Sequence, residues 1–155
     1  MKIIASLLFI LSVSFSSYGQ SHYLPNEETG VAVGLTGGYS SKKSFIGNFS
    51  LGAMIKGKSH ISINLQGFSD PSAVNVPIIG EGRIGHMLGT VEVYAGYGYH
   101  YAGNEYDYKQ GYLQFRNGFR PAYGVVKHFD NSMWTVGAGM SGKIFSLQIG
   151  ILVIR

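Results

Sequence analysis

Beyond residue 29, apolar side chains recur at every second position, so the chain predicts β-strands and no sustained helix. The segment 144–155 is the clearest case. Phe145, Leu147, Ile149, Ile151 and Val153 make one wholly apolar face, and Ile144, Ser146, Gln148 and Gly150 make a mixed, small one. Seven similar segments precede it. Residues 30–39 carry Val31, Val33, Leu35 and Tyr39 on one face and Ala32, Gly34, Thr36 and Gly38 on the other. Residues 44–55 set Phe45, Phe49, Leu51, Ala53 and Ile55 against Asn48, Ser50 and Gly52, and residues 59–68 set Ile61, Ile63 and Leu65 against His60, Ser62, Asn64 and Gln66. Residues 76–85 oppose Ile78 and Ile84 to Glu81 and Arg83. Residues 89–101 place Val91, Val93, Ala95, Tyr97, Tyr99 and Tyr101 together, and strands over 118–129 and 132–140 complete a set of eight.

The connections alternate in length. Lys56-Gly57-Lys58, residues 86–88 and Asp130-Asn131 are short and fall on one side. Residues 40–43, 69–75, 102–117 and 142–143 fall on the other side, which holds the two longest. Short turns at one end and longer loops at the other are the pattern of outer-membrane barrels, and an even strand count returns both termini to the short-turn side. Asp130-Asn131 and Gly142-Lys143 have the chemistry of tight hairpins, whose central residues adopt positive φ. Phe129 and Trp134 fall near the short-turn ends of their strands, and Tyr39, Phe45, Tyr99, Tyr101 and Phe145 near the other ends, as two interfacial girdles require. Pro121 has no N–H to give a ladder, so a bulge or break is expected there. Asn117-Gly118, flanked by Leu113, Phe115 and Phe119, is a second hairpin signal and makes ten strands the alternative count.

The first 19 residues have the form of a cleaved secretory signal. Lys2 precedes an apolar run over 3–13, and Ser17 and Gly19 supply the small residues before a cut at Gln20. That run is far shorter than the ~20 residues a spanning helix needs. Residues 20–29 then form a periplasmic lead-in and residues 30–155 the barrel. The chain has no cysteine, which removes a lipid anchor, disulfides and thiolate metal sites. Only 13% of its residues are charged, about half the ~25% of ordinary soluble domains. Aromatics are nevertheless plentiful, with 11 Tyr, 9 Phe and 1 Trp, alongside 23 Gly. Such a chain is not disordered, and it has too little charge to coat a water-exposed outside. The net charge of +4 is carried partly by Lys42, Lys43, Lys56 and Lys58 in predicted turns. No aromatic-interleaved basic stripe accompanies them, so nucleic acid is excluded as a partner. Lys42 and Lys43 are placed to meet anionic headgroups or lipopolysaccharide phosphates.

The pattern over residues 30–155 resembles the small outer-membrane β-barrels, the size class of OmpX and the membrane domain of OmpA. The fold class it implies is all-β: a single antiparallel up-and-down transmembrane barrel, with outer-membrane lipid, lipopolysaccharide and the barrel-assembly machinery as partners. The terminus departs from that class, whose members often end in an aromatic residue, whereas this chain ends Val153-Ile154-Arg155. The resemblance also implies an interior filled by side chains. The inward set suits that, with many glycines and with Glu81, Arg83, Glu92, Arg116 and Arg120 as a polar lumen network. A turn between His86 and Gly89 would set Arg83 opposite Glu92.

Chemistry beyond this is thin. His60 and Ser62 share a face and are slightly similar to the His-x-Ser of outer-membrane lipid A deacylases, but no acid follows on the same hairpin to orient the base. His86, His100 and His128 lack metal-ligand spacing, so no metal or other cofactor is expected. Gly96-Tyr97-Gly98 lies in mid-strand with no helix after it, which argues for packing over phosphate binding. The loop 102–117, with Asn104, Glu105, Tyr106, Asp107 and Tyr108, is the exposed segment suited to an extracellular protein or glycan. A non-enzymatic outer-membrane barrel is therefore the expected function. Its competitors are a secreted lipocalin-like barrel, which needs the apolar face turned inward, and a lipid-modifying barrel enzyme.

Overall fold

The computed structural model describes residues 29–41, 44–69, 77–101, 117–129 and 132–154. They form eight strands: β1 (Gly30–Ser40), β2 (Phe45–Ile55), β3 (Ser59–Ser69), β4 (Ile78–Leu88), β5 (Val91–Tyr101), β6 (Gly118–His128), β7 (Trp134–Ser141) and β8 (Ile144–Ile154). Each pairs antiparallel with its neighbours in chain order, and β1 pairs with β8, from Ala32 opposite Ile154 to Ser40 opposite Ser146. Closure removes the unpaired edges that an open sheet would expose. It also leaves no gap for a further pair, so the ten-strand alternative fails and Asn117-Gly118 leads into β6. The signal and lead-in, apart from Thr29, lie outside the described residues, as do Lys42, Lys43 and Asp130-Asn131.

Alternation sorts the side chains by face. Ile63 is 72% exposed and Leu147 55%, while Glu81 is 1% exposed, so the apolar set forms the outer wall and the polar set lines the lumen. This is the reverse of the orientation a lipocalin-like barrel requires. Rings crowd the wall near the end that carries Ser41, Ser44 and the Gly142-Lys143 turn, here the loop end. Tyr39 meets Phe45 edge-on at 5.5 Å, and Phe119 stacks on Tyr97 at 5.8 Å and meets Tyr99 at 5.1 Å. Phe129 and Trp134 are exposed at the opposite, terminal end.

Two local expectations are corrected. β4 runs on to Leu88, pairing Leu88 with Val91, so the turn is Gly89-Thr90 and not 86–88. Gly89 takes φ 63°, the first-position requirement of a two-residue hairpin, and His86 continues the outward alternation of Ile84 and Leu88. At Pro121 the strand neither bulges nor breaks, for the β5–β6 register is continuous from Val91–Lys127 to His100–Gly118. In an antiparallel ladder a residue's N–H and C=O point to the same neighbour. The Pro121 carbonyl accepts from Gly142 N at 2.8 Å, so its missing N–H falls on the β7 side, just where β7 ends. The Lys56-Gly57-Lys58 and Gly142-Lys143 turns stand as expected, with positive φ at Lys56, Gly57 and Gly142.

Candidate functional site

The lumen is the one place where polar chemistry concentrates among the described residues, and it is built in layers. At the loop end Ile46, Phe68, Ile79 and Ile144 form a buried apolar cluster. At the same end His100 Nε2 on β5 and Ser141 Oγ on β7 lie 2.7 Å apart, bridging over β6.

The middle layer rests on β4. Arg83 donates to Glu81 Oε2 from Nη2 at 2.6 Å and from Nε at 2.8 Å, and Gln66 Nε2 donates to the same oxygen at 3.0 Å. The guanidinium also sits 4.5 Å from the centroid of the Tyr94 ring, in cation–π contact. Space for these side chains comes from β5, where Gly98 and Gly96 stand opposite Glu81 and Arg83 and a Cβ at either would collide with them. Tyr94 itself crosses to β6 and β7, its hydroxyl occupying the room left by Gly124 and Gly139. On the far side a hydrogen-bond chain runs from Asn48 Nδ2 to Thr36 Oγ1 (3.3 Å), from Thr36 to Gln148 Oε1 (2.8 Å) and from Gln148 Nε2 to Ser146 Oγ (3.2 Å).

The terminal-end layer centres on Glu92. Its Oε1 lies 3.0 Å from His60 Nδ1 and its Oε2 3.1 Å from His128 Nε2. His60 is on β3 and Glu92 on β5, so the carboxylate must cross β4 to reach it. Gly85 permits the crossing, because a side chain there would overlap the Glu92 carboxylate. Between this layer and the middle one lies a cavity of about 60 Å³, lined among others by Asn48, His60, Asn64, Glu92 and His128. A separate space of about 10 Å³ lies above the Arg83–Tyr94 contact, against Phe68 and Ile144.

The expected network is therefore divided. Glu81 and Arg83 meet each other, but Arg83 is opposite Gly96, not Glu92, because moving the turn to Gly89-Thr90 shifts the pairing by four residues on β5. Glu92 turns instead to the two histidines. Arg120 stays apart at the loop end, its Nη1 donating to Phe119 O at 3.3 Å and its stem against Gly142. Arg116 and the loop residues Asn104, Glu105, Tyr106, Asp107 and Tyr108 lie outside the described residues. His86 is on the outer wall, 3.4 Å from Ser59 Oγ.

The His60–Glu92–His128 cluster was not anticipated. Parity places His60 and Glu92 on inward faces, but a turn at 86–88 pairs Glu92 with Arg83, and nothing in the sequence analysis assigns a face to His128. His60 thus has the orienting acid that its own hairpin lacks. Ser62 Oγ, however, accepts from Asn64 Nδ2 at 2.9 Å, and both His60 and Ser62 are buried in the lumen, away from the outer wall. Among the described residues no group of three or more His, Asp or Glu side chains is arranged to hold a metal ion.

No protein-family model and no curated protein matches the chain. Among solved structures it is similar to a chain described as "De novo design of transmembrane beta-barrels", with a TM-score of 0.54 and 13% identity, covering 84% of this chain and 97% of that one. At that identity the likeness is one of fold: a small closed β-barrel of the transmembrane type.

Proposed function

We propose that the chain is exported through a cleaved N-terminal signal and inserts as a small integral β-barrel in a bacterial outer membrane, acting structurally or through its outer loops and without catalysis. One observation carries this reading: the outer wall is predominantly apolar, with Val31, Leu51, Ile63, Ile84, Val93, Val125, Val136 and Ile149, one from each strand, all exposed on it, while the lumen holds the buried charge. Hydrocarbon is the solvent that such a wall suits, and a closed barrel satisfies every strand's backbone within it. The lumen charges face inward and pair with neighbouring side chains, Arg83 with Glu81 and Glu92 with His60 and His128, which supports a filled interior over a substrate channel.

Cell fractionation with surface proteolysis tests the reading. The mature chain is expected in the outer-membrane fraction, resistant to alkaline extraction, with heat-dependent gel mobility and cleavage by external protease within residues 102–117. Recovery as a freely soluble periplasmic protein would remove it.

A further inference from the structure

We infer that the terminal end of the outer wall, from β3 to β7, is a binding site for anionic phospholipid and holds the phosphodiester of a phosphatidylglycerol-type headgroup beside Lys127. The inference rests on the proposed membrane reading and adds a lipid preference to it.

The wall is predominantly apolar, yet at this end successive elements turn polar groups outward. Lys56 and Lys58 are exposed on the β2–β3 turn. His86 on β4 faces outward, its Nδ1 3.4 Å from Ser59 Oγ on β3. Lys127 on β6 faces outward and donates from Nζ to Thr90 Oγ1 in the β4–β5 turn. These groups are neighbours along one rim. Met87 N donates to Lys58 O at 2.7 Å and His128 N to Thr90 O at 2.8 Å, which ties each turn to the next strand.

Both wall pairs have donors to spare. The Lys127 ammonium gives one of its three N–H bonds to Thr90, and Thr90 keeps its own O–H. Between Ser59 and His86 either the hydroxyl or the ring donates, and in each case at least one proton is left over. Acceptors are missing on the same surface. The described residues include two carboxylates, Glu81 and Glu92, and both are buried in the lumen. Lys127 also sends its amine to the β5 side, away from the β6–β7 connection that contains Asp130. A surface that offers protons and positive charge, with no described acid beside it, fits an anionic acceptor from outside the chain.

Location selects lipid as the source of that acceptor. Lys127 is not on a turn. It stands between the exposed Val125 and Phe129, with Val91 and Val136 opposite it on the neighbouring strands, so its partner must lie alongside an apolar wall. The stem covers that wall while the amine reaches the rim at Thr90, the posture of a lysine at a membrane boundary. Trp134, the chain's one tryptophan, is the diagonal neighbour of Lys127 on β7 and marks the same depth, since indole rings favour the headgroup level. A phospholipid satisfies the whole surface at once, with acyl chains against Val125 and Val136 and the phosphodiester at the Lys127 amine and the Thr90 hydroxyl. A soluble anion would meet the charge and leave the valines bare.

Trp134 also supplies the probe, because a diagonal cross-strand neighbour lies about 7–8 Å away. The full chain is folded into vesicles of phosphatidylcholine mixed with phosphatidylglycerol, with bromine on the acyl chains of one lipid at a time, and quenching of Trp134 fluorescence is read at low ionic strength. Phosphatidylcholine carries the same phosphodiester beside a quaternary ammonium, so the comparison isolates headgroup charge. Phosphatidylglycerol is expected to be enriched about fivefold beside Trp134, the effect of one lysine at an anionic lipid surface. The preference is expected to vanish in Lys127→Gln and to shrink in about 1 M salt. Lys143→Gln, at the loop end, removes the same charge far from Trp134 and is expected to keep it. Heat-dependent gel mobility establishes that each variant is folded. Equal quenching by the two lipids, an unchanged preference in Lys127→Gln, or an equal loss in Lys143→Gln would overturn the inference and leave the membrane reading intact. Absence of quenching by either brominated lipid would remove the membrane reading and this inference with it.

Discussion

At the scale of single residues, the fold is decided by which side of the ribbon a side chain takes, and neighbours one position apart answer to different solvents. Ile149 faces outward at 55% exposure near the middle of β8, and Gln148 faces the lumen, bonded to Thr36 and Ser146. With hydrocarbon around the wall, as proposed, an arginine at Ile149 meets it at mid-depth, which costs ~2–4 kcal/mol in such barrels. An arginine at Gln148 points into a space already lined by polar groups and by Glu92. Unfolding by denaturant from lipid vesicles is therefore expected to show Ile149→Arg destabilised by ~2–4 kcal/mol, and Gln148→Arg by markedly less. Similar losses at both positions would mean that hydrocarbon does not surround the wall. Alternation made this sorting legible in the sequence, since parity needs no knowledge of partners. The partners themselves were not legible. Glu92 meets His60 over Gly85 from two strands away, a contact set by the missing Cβ of a residue on the intervening strand.

At the scale of strands and turns, glycines in β4 and β5 serve opposite ends. Gly82 faces outward opposite Tyr97, in extended backbone, and a Cβ there would meet nothing within 4 Å. Gly98 faces inward opposite Glu81, and a Cβ there would strike the Glu81 side chain and the Gly80 carbonyl. A glycine inside a strand costs about 0.5–1 kcal/mol through the freedom it loses on folding. Gly82→Val is thus expected to stabilise the barrel by up to about 1 kcal/mol, whereas Gly98→Ala destabilises it by forcing Glu81 and its bond to Arg83 aside. Equilibrium unfolding of both variants checks the contrast, which reverses if the register of β4 and β5 is other than described. Both strands were recognisable as elements, yet their junction was misplaced. His86 is polar and reads in the sequence as a turn residue, while the physical marker of the turn is Gly89, where the chain adopts a positive φ. Pro121 misled for a related reason. Its missing N–H matters only towards a strand that needs it, and the early end of β7 is a property of the neighbour, invisible from Pro121 itself.

At the scale of the whole molecule, an eight-stranded barrel has an interior just wide enough for side chains to fill, so layers of side chains decide whether anything passes. Two barriers stand in series here. The apolar cluster of Ile46, Phe68, Ile79 and Ile144 closes the loop end, and an apolar constriction excludes ions by refusing water. Below it the Arg83 guanidinium lies on the Tyr94 ring, and the Tyr94 hydroxyl fills the space left by Gly124 and Gly139, which separates the 60 Å³ cavity from the 10 Å³ one. Each barrier is expected to stop ions on its own. The folded chain in a planar lipid bilayer is expected to show no steady conductance, and Tyr94→Ala to stay equally silent because the apolar cluster is untouched. Phe68→Ala leaves the Arg83–Tyr94 contact in place and is expected to be silent too, at a stability cost of about 3–5 kcal/mol for the lost ring. Only the combination of Tyr94→Ala with Phe68→Ala joins the two spaces and thins the cluster above them, so discrete openings are expected in the double variant alone. Heat-dependent gel mobility verifies that each variant is folded before recording. Openings in the unaltered chain would show that the layers move apart in the membrane, and openings in one single variant would identify the other barrier as no barrier at all.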